Sequence, residues 1–153
     1  MIYTKPFYYK PKESEFDLAS KSYLISIFAL VTGIPLPITN LIASILFIVL
    51  NRKASFFVRW HCTQVLLAQI VLFFINSSCF WWGISIFLKW TEYTNTFIFY
   101  LSFVLLINLI ELFQTIYTTI KITSKKHIRW VFFAPLTDFF FTNSIKSYQN
   151  KML

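Results

Sequence analysis

Three long apolar stretches organise the chain. Ser22–Leu50 carries no charged residue in 29 positions, Cys62–Leu88 none in 27, and Tyr93–Ile120 only Glu111 in 28. Each exceeds the roughly 20 residues that cross a hydrocarbon core as a helix. As one helix, the first stretch would measure about 44 Å, well beyond a core of about 30 Å. It is broken by Gly33, Pro35 and Pro37. Each proline removes a backbone donor and disfavours helical geometry in the residue before it. The pattern therefore predicts four helices, at about 18–32, 37–50, 63–88 and 96–120. The fold class that follows is an all-α integral membrane protein with four transmembrane helices. The first two are short and joined by a Gly/Pro turn, and a re-entrant hairpin over 22–50 is the alternative.

Residues 1–17 read as a polar cytoplasmic tail and 18–121 as the membrane domain. Met1–Lys21 carries both charge signs and does not resemble a signal peptide. Residues 122–153 are basic and aromatic, with Trp130, Phe132, Phe133 and Phe139–Phe141 interrupted by Pro135. This segment is too short and broken to span, so an interfacial segment anchored by Arg129 and Trp130 is expected.

Composition supports lipid as the solvent. Hydrophobic residues make up 57% of the 153 and charged residues 13%, against about 25% charged in soluble domains. A soluble globule of this size could not hide that much apolar surface. The net charge of +8 lies mostly between and beyond the apolar runs, where topology-setting charges belong, so nucleic acid is not the expected partner. With four crossings, nearly all basic residues fall on one side, and Lys89 alone falls on the other. With three, they divide almost evenly. The positive-inside rule favours four, with both termini cytoplasmic and external turns at Gly33–Pro37 and Lys89–Asn95.

Polar residues inside the apolar runs are the candidate chemistry. Asn108, Glu111, Gln114, Thr115 and Thr118 share one face of the fourth helix at 100° per residue. Gln69 and Asn76 lie on a comparable stripe of the third. A carboxyl near mid-membrane must face protein or water or be protonated. A protonated Glu111 bonded to Asn76 is the expected pairing. Either the stripes are helix–helix glue or they form a polar path. His61 and His127 lie far apart in sequence, and no catalytic pairing, metal-ligand spacing or glycine-rich phosphate loop is readable. No catalytic residue, metal or cofactor is expected. Cys62 and Cys79 are too far apart along one helix for a disulfide.

Basic and aromatic residues alternate from Asn51 to Gln64 at a membrane boundary. This is either interface anchoring or a docking surface for a partner or anionic lipid, through Arg52, Lys53, Arg59, Trp60, His61 and Gln64. Here the block Phe57-Val58-Arg59-Trp60-His61-Cys62-Thr63-Gln64, with the apolar run after it, resembles the Tic20-like superfamily of bacterial four-helix membrane proteins. That superfamily includes an import-channel subunit of the chloroplast inner envelope. Leu36–Ile42, Asn51–Lys53 and the ending Arg129–Thr137 are similar to Bacteroidetes-type members. The resemblance covers about residues 20–140 and implies four helices with a cytoplasmic N-terminus. It also implies a non-enzymatic accessory subunit of a bacterial inner-membrane complex associated with protein translocation. Its partners would be membrane lipid and other membrane subunits, the protein-export channel among them. The alternative expectation is a small oligomeric transporter or channel using Glu111.

Overall fold

The computed structural model describes residues 2–31 and 38–150. Elements follow in the order β1 (Ile2–Thr4), α1 (Glu13–Val31), α2 (Ile38–Leu50), α3 (Phe56–Phe87), α4 (Asn95–Thr123), β2 (Ile128–Trp130), α5 (Phe133–Phe140) and α6 (Thr142–Asn150). The expected Gly33–Pro37 turn lies outside the described residues. At 1.5 Å per residue, α3 and α4 measure about 48 and 44 Å. Both are long and apolar enough to cross a membrane. Helices α1 and α2 have 19 and 13 residues.

Local chemistry sets the helix ends. The Glu15 carboxylate accepts the Lys12 backbone N–H at 2.6 Å, the reciprocal half of a capping box, and fixes the start of α1. Ser55 caps α3 by accepting from Val58 N, so α3 begins at Phe56, seven residues ahead of the expected start at 63. The Asn51–Gln64 block is therefore largely helical. Thr94 caps α4 in the same way, accepting from Phe97 N. Lys89 and Lys125 follow α3 and α4 at φ of 59° and 62°. Around them Lys89 N bonds Ile86 O and Trp90 N bonds Ser85 O, while Lys125 N bonds Ile122 O and Lys126 N bonds Lys121 O. This is the Schellman pattern with lysine in the left-handed position that glycine usually takes.

Helix α1 packs against α2, α3 and α4, α2 packs against α3, and α5 packs against α3. Within the tail expected over 1–17, the described residues from Ile2 onward are held in the fold. β1 pairs antiparallel with β2, aligning Ile2 with Trp130 and Thr4 with Ile128. Phe7 packs its ring on Phe56, Phe57 and His127 at centroid distances of 5.2, 4.9 and 4.9 Å. The polar composition of the tail conceals this, because a few aromatic side chains supply the buried area. The N-terminal segment, the start of α3 and the segment after α4 thus meet at one end of the molecule.

The core sits at that end. The buried side chains of α3 run from Phe56 to Leu72, with Cys79 alone beyond, although the helix continues to Phe87. The far ends of α3 and α4 present bare apolar side chains, including Phe87 and Phe99 at 85% and 76% exposure. Arg129 and Trp130 are buried rather than interfacial anchors: as neighbours on a strand they point to opposite faces, and Asp138 with Trp60 covers one while Thr118 with Tyr23 covers the other. Phe132, Phe139 and Phe140 remain exposed.

Candidate functional site

The packed end encloses a chain of hydrogen bonds that joins α1, α3, β2 and the connection between α4 and β2. Gln64 Oε1 accepts the Trp130 backbone N–H at 3.0 Å. A backbone N–H only donates, so this contact fixes which end of the Gln64 amide is oxygen. Gln64 Nε2 then donates to the Tyr23 hydroxyl at 2.8 Å. The hydroxyl's own hydrogen passes to His61 Nδ1, 2.9 Å away. With Nδ1 an acceptor, neutral His61 carries its proton on Nε2 and donates to His127 Nδ1 at 3.0 Å. By the same rule His127 carries its hydrogen on Nε2. That nitrogen is buried and has no partner among the described residues.

Tyr23, His61 and Gln64 are completely buried, and His127 is 94% removed from solvent on its 6% exposure. Desolvation, reinforced by the charges of Arg129 and Lys5, pulls the His127 pKa down to about 3, so its imidazole is neutral near pH 7. The backbone donor fixes the orientation of the Gln64 amide, and giving the one hydrogen of the Tyr23 hydroxyl its acceptor at His61 Nδ1 sets the two imidazole tautomers. The Gln64 amide cannot relay a proton, so the chain is a fixed scaffold rather than a conduction path.

A second network adjoins it. Asp138 on α5 accepts Trp60 Nε1 at 2.9 Å and forms an ion pair with Arg129 on β2. Arg129 Nε also donates to Tyr3 OH at 3.0 Å, and its guanidinium lies 5.1 Å from the Trp60 ring centroid. Trp130 Nε1 donates to Thr118 Oγ1 at 2.8 Å, and Thr118 donates to Gln114 O, which brings the end of α4 into the same cluster. On the opposite flank, Tyr9 OH donates to Glu15 and accepts from Phe57 N. Burial first, with Glu15 adding to it, pushes the Tyr9 pKa up to about 12.

Trp60, His61 and Gln64 are therefore not docking residues. They lie at 0% exposure, on the face of α3 that turns toward α1, β2 and α5. Arg52, Lys53 and Arg59 are exposed, and Arg59 lies over the Phe141 ring at 5.9 Å. In this boundary block Arg52 and Lys53 lie in the turn before α3, and Arg59 points outward from first helical turns whose aromatic and polar neighbours are buried.

Farther along α3 and α4 the polar stripes meet, in a register different from the expected one. Asn76 pairs with Asn108 rather than with Glu111: Asn76 Nδ2 donates to Asn108 Oδ1 at 3.1 Å, and Asn108 Nδ2 returns a bond to Asn76 Oδ1 at 2.7 Å. Glu111 Oε1 accepts from Gln69 Nε2 at 2.9 Å and from Thr115 Oγ1 at 3.0 Å. The antiparallel run of α3 and α4 moves the partner of Glu111 one heptad toward the packed end. Gln114 enters through its backbone carbonyl.

Tyr23, His127, Thr118, Trp130 and Asp138 complete the networks, yet as site residues only Thr118 carried a sequence signal, through the α4 stripe. His127 beside a helix end was visible, but its partner was not. Among the described residues, no three His, Cys, Asp or Glu side chains converge as metal ligands, and Cys62 and Cys79 are free thiols. No protein-family model, curated protein or solved structure matches the chain.

Proposed function

We propose that the chain is a non-enzymatic accessory subunit of a bacterial inner-membrane complex, with α3 and α4 in the bilayer and further subunits packed along them. The observation that carries this reading is the uncovered apolar length of the two long helices beyond the packed end. Lipid or other apolar helices must cover such a surface. The polar side chains along α3 and α4 are largely bonded to each other or to backbone carbonyls, so that surface offers shape and hydrophobicity rather than reactive groups.

The topology in this reading has four crossings and two cytoplasmic termini. It is supported by the meeting of the N-terminal segment, the α2–α3 connection and the post-α4 segment at one end. That arrangement requires α1 and α2 to leave and return together. The basic residues of all three segments then share one side. Protein translocation is the most concrete assignment, and it rests on the family resemblance alone, of which Phe57–Gln64 is the most informative block. The buried face of that block gives it a structural role in this chain.

Native extraction in mild detergent followed by mass spectrometry tests the reading. The expected result is a stoichiometric complex containing the protein-export channel. Recovery of the chain alone, as a monomer, overturns it.

A second reading is a small transporter or channel. The observation favouring it is the Glu111 carboxyl, held by Gln69 and Thr115 within the apolar length of α4.

A further inference from the structure

The segment after α4 turns an aromatic face outward. On α5, Ala134 and Thr137 are buried, and Asp138 is committed to Trp60 and Arg129. Phe132 precedes α5 with helical backbone angles. With Leu136, Phe139 and Phe140 it occupies the other side, within about 100° of arc at 100° per residue. The exposure of these four runs from 51% at Leu136 to 78% at Phe132. Pro135 falls in the first turn of α5, where a missing backbone N–H costs no helical bond. No charge shares the outward face, because Asp138, the one charge in α5, belongs to the inward one.

Contacts at both ends of the segment fix its height along α3. Trp130, at the end of β2, donates to Gln64 through its backbone N–H at 3.0 Å and to Thr118 through its indole N–H at 2.8 Å. Phe133 packs on the Trp130 ring at 6.1 Å. Phe141 packs on Phe56 at 5.5 Å, and Arg59 lies over its ring. Gln64 lies as far beyond Phe56 as Phe141 lies beyond Phe133, about 12 Å of helix. Helix α5 therefore stands beside the first turns of α3 and runs the opposite way. Its Phe132 end is the one nearer the long apolar lengths.

The charges show what surrounds that end. Arg59 and Lys121 are the last charges before the apolar runs of α3 and α4. Gln64 is about 7.5 Å inside Arg59, and Thr118 about 4.5 Å inside Lys121. Trp130, bonded to both, thus lies within the apolar length, and Phe132 is two residues away. With α3 and α4 in the bilayer, a side chain turned away from the bundle at that height meets lipid rather than water. Aromatic rings suit this level, where hydrocarbon gives way to headgroups.

We propose that α5 is an interfacial wedge whose partner is the lipid surface. Phe132 and Leu136 enter the edge of the hydrocarbon in the leaflet at the packed end, and Phe139 and Phe140 lie among its headgroups. The proposal rests on the reading that puts α3 and α4 in the bilayer, and it assigns the anchoring to other residues than the buried Arg129 and Trp130. Both long helices exceed a core of about 30 Å, and an anchor on one flank sets the direction in which they tilt.

Site-directed spin labelling of the full chain in lipid nanodiscs tests the proposal. Cys62 and Cys79, both buried, are replaced by Ala. A nitroxide is then attached at one position at a time after Phe132→Cys, Leu136→Cys, Phe139→Cys or Phe140→Cys. Oxygen concentrates in the bilayer and a nickel chelate stays in water, so the ratio of their collision rates reports depth. Lys53→Cys is the water reference. Phe103→Cys, at an exposed position of α4, is the lipid reference. The ratio is expected to exceed that of Lys53 at all four positions, several-fold at Phe132 and Leu136, and to fall toward Phe140. Ratios at the Lys53 level, with Phe103 in lipid, overturn the wedge and leave α4 in the bilayer. A Phe103 ratio at the Lys53 level overturns the membrane reading and the wedge with it. A label shielded from both reagents indicates protein cover and also overturns the wedge. A second measurement keeps both native thiols: benzoylphenylalanine in place of Phe132 should form a lipid adduct on irradiation, seen by intact mass. No adduct there, with one formed from the same group in place of Phe103, overturns the proposal.

Discussion

His61 Nε2 lies 3.0 Å from His127 Nδ1, which joins side chains 66 positions apart inside the packed end of the molecule. The contact is the last of four hydrogen bonds that lead from a backbone donor on β2 to the buried imidazole of His127. Its consequences can be measured separately from any function. Tyr23→Phe is the cleanest probe, because it removes one oxygen and no ring. It leaves Gln64 Nε2 and His61 Nδ1 unpartnered in a dry interior. The expected loss is about 2 kcal/mol, read as a lower thermal midpoint in detergent. Tyr93→Phe, at a residue 67% exposed, is the control and should leave the midpoint in place. Equal midpoints for Tyr23→Phe and the parent would mean that the hydroxyl does not hold this chain together.

Acid should loosen the same end. An unfolded imidazole titrates near 6.5, whereas folded His127 titrates near 3, through burial and then the charges of Arg129 and Lys5. The folded pKa is the lower one, so between these values the unfolded chain binds the extra proton. Stability is therefore full above about pH 6.5 and falls as the pH drops toward 3, by up to about 1.4 kcal/mol per pH unit at the steepest. The window from pH 5 to 6.5 isolates the effect from the carboxylates. There, His127→Gln should flatten the pH dependence of the thermal midpoint by about one proton. An unchanged slope would assign the sensitivity to another group.

Asp138 serves two partners, Trp60 Nε1 and the Arg129 guanidinium. Arg129 has 6% of its side chain exposed and Asp138 27%. Asp138→Ala leaves a nearly buried guanidinium without its counter-ion and should cost about 3 kcal/mol. Asp138→Asn keeps an acceptor for the indole and loses only the ion pair, so its cost should be smaller. Thermal midpoints of the two variants give the order. If Asp138→Asn is the worse, the indole bond is not the contact that the carboxylate makes.

The legible part of this architecture is what hydropathy reports. Glu111 is the one charge in the Tyr93–Ile120 run, and the charge-free Cys62–Leu88 run marked the other long helix. The 100° periodicity also placed Asn108, Glu111, Thr115 and Thr118 on a common face. Periodicity says which face a residue occupies, but not the height at which a neighbouring helix presents its partner. The axial offset between α3 and α4 therefore sent Asn76 to Asn108 and Gln69 to Glu111. The start of α3 was misplaced because Arg59 reads as a boundary charge. On a helix, one exposed arginine is compatible with buried neighbours at Val58 and Trp60. The three-residue strands and the His61–His127 contact left no local pattern, since long-range packing creates both.

The reciprocal amide pair between Asn76 and Asn108 should be coupled. Each side chain donates to the other, so removing either one unmakes both bonds. Asn76→Leu and Asn108→Leu, alone and combined, form a double-mutant cycle. The coupling expected for a polar pair between membrane helices is about 1 kcal/mol. A cycle that closes to zero would mean that the two amides find equally good partners elsewhere, such as the Val104 carbonyl that Asn108 already contacts at 2.8 Å.

Glu111 separates the two functional readings, because its neighbours distinguish shape from charge. Its Oε1 accepts from Gln69 and Thr115, and a glutamine carbonyl at the same position accepts from both. Glu111→Gln should therefore preserve helix packing and leave any assembly with partner subunits intact in native mass spectrometry. Gln69→Leu removes one donor and leaves the carboxyl with Thr115 alone. It should lower stability by about 1–3 kcal/mol, so the pair has structural weight even where the charge has none. A proton- or ion-linked carboxyl behaves differently, since the amide cannot release a proton. Proteoliposomes containing the purified chain provide the measurement. In the accessory-subunit reading, parent and Glu111→Gln vesicles both lack a proton or cation flux above the lipid background. A flux present in the parent and abolished by Glu111→Gln, with packing unchanged, would replace that reading with transport.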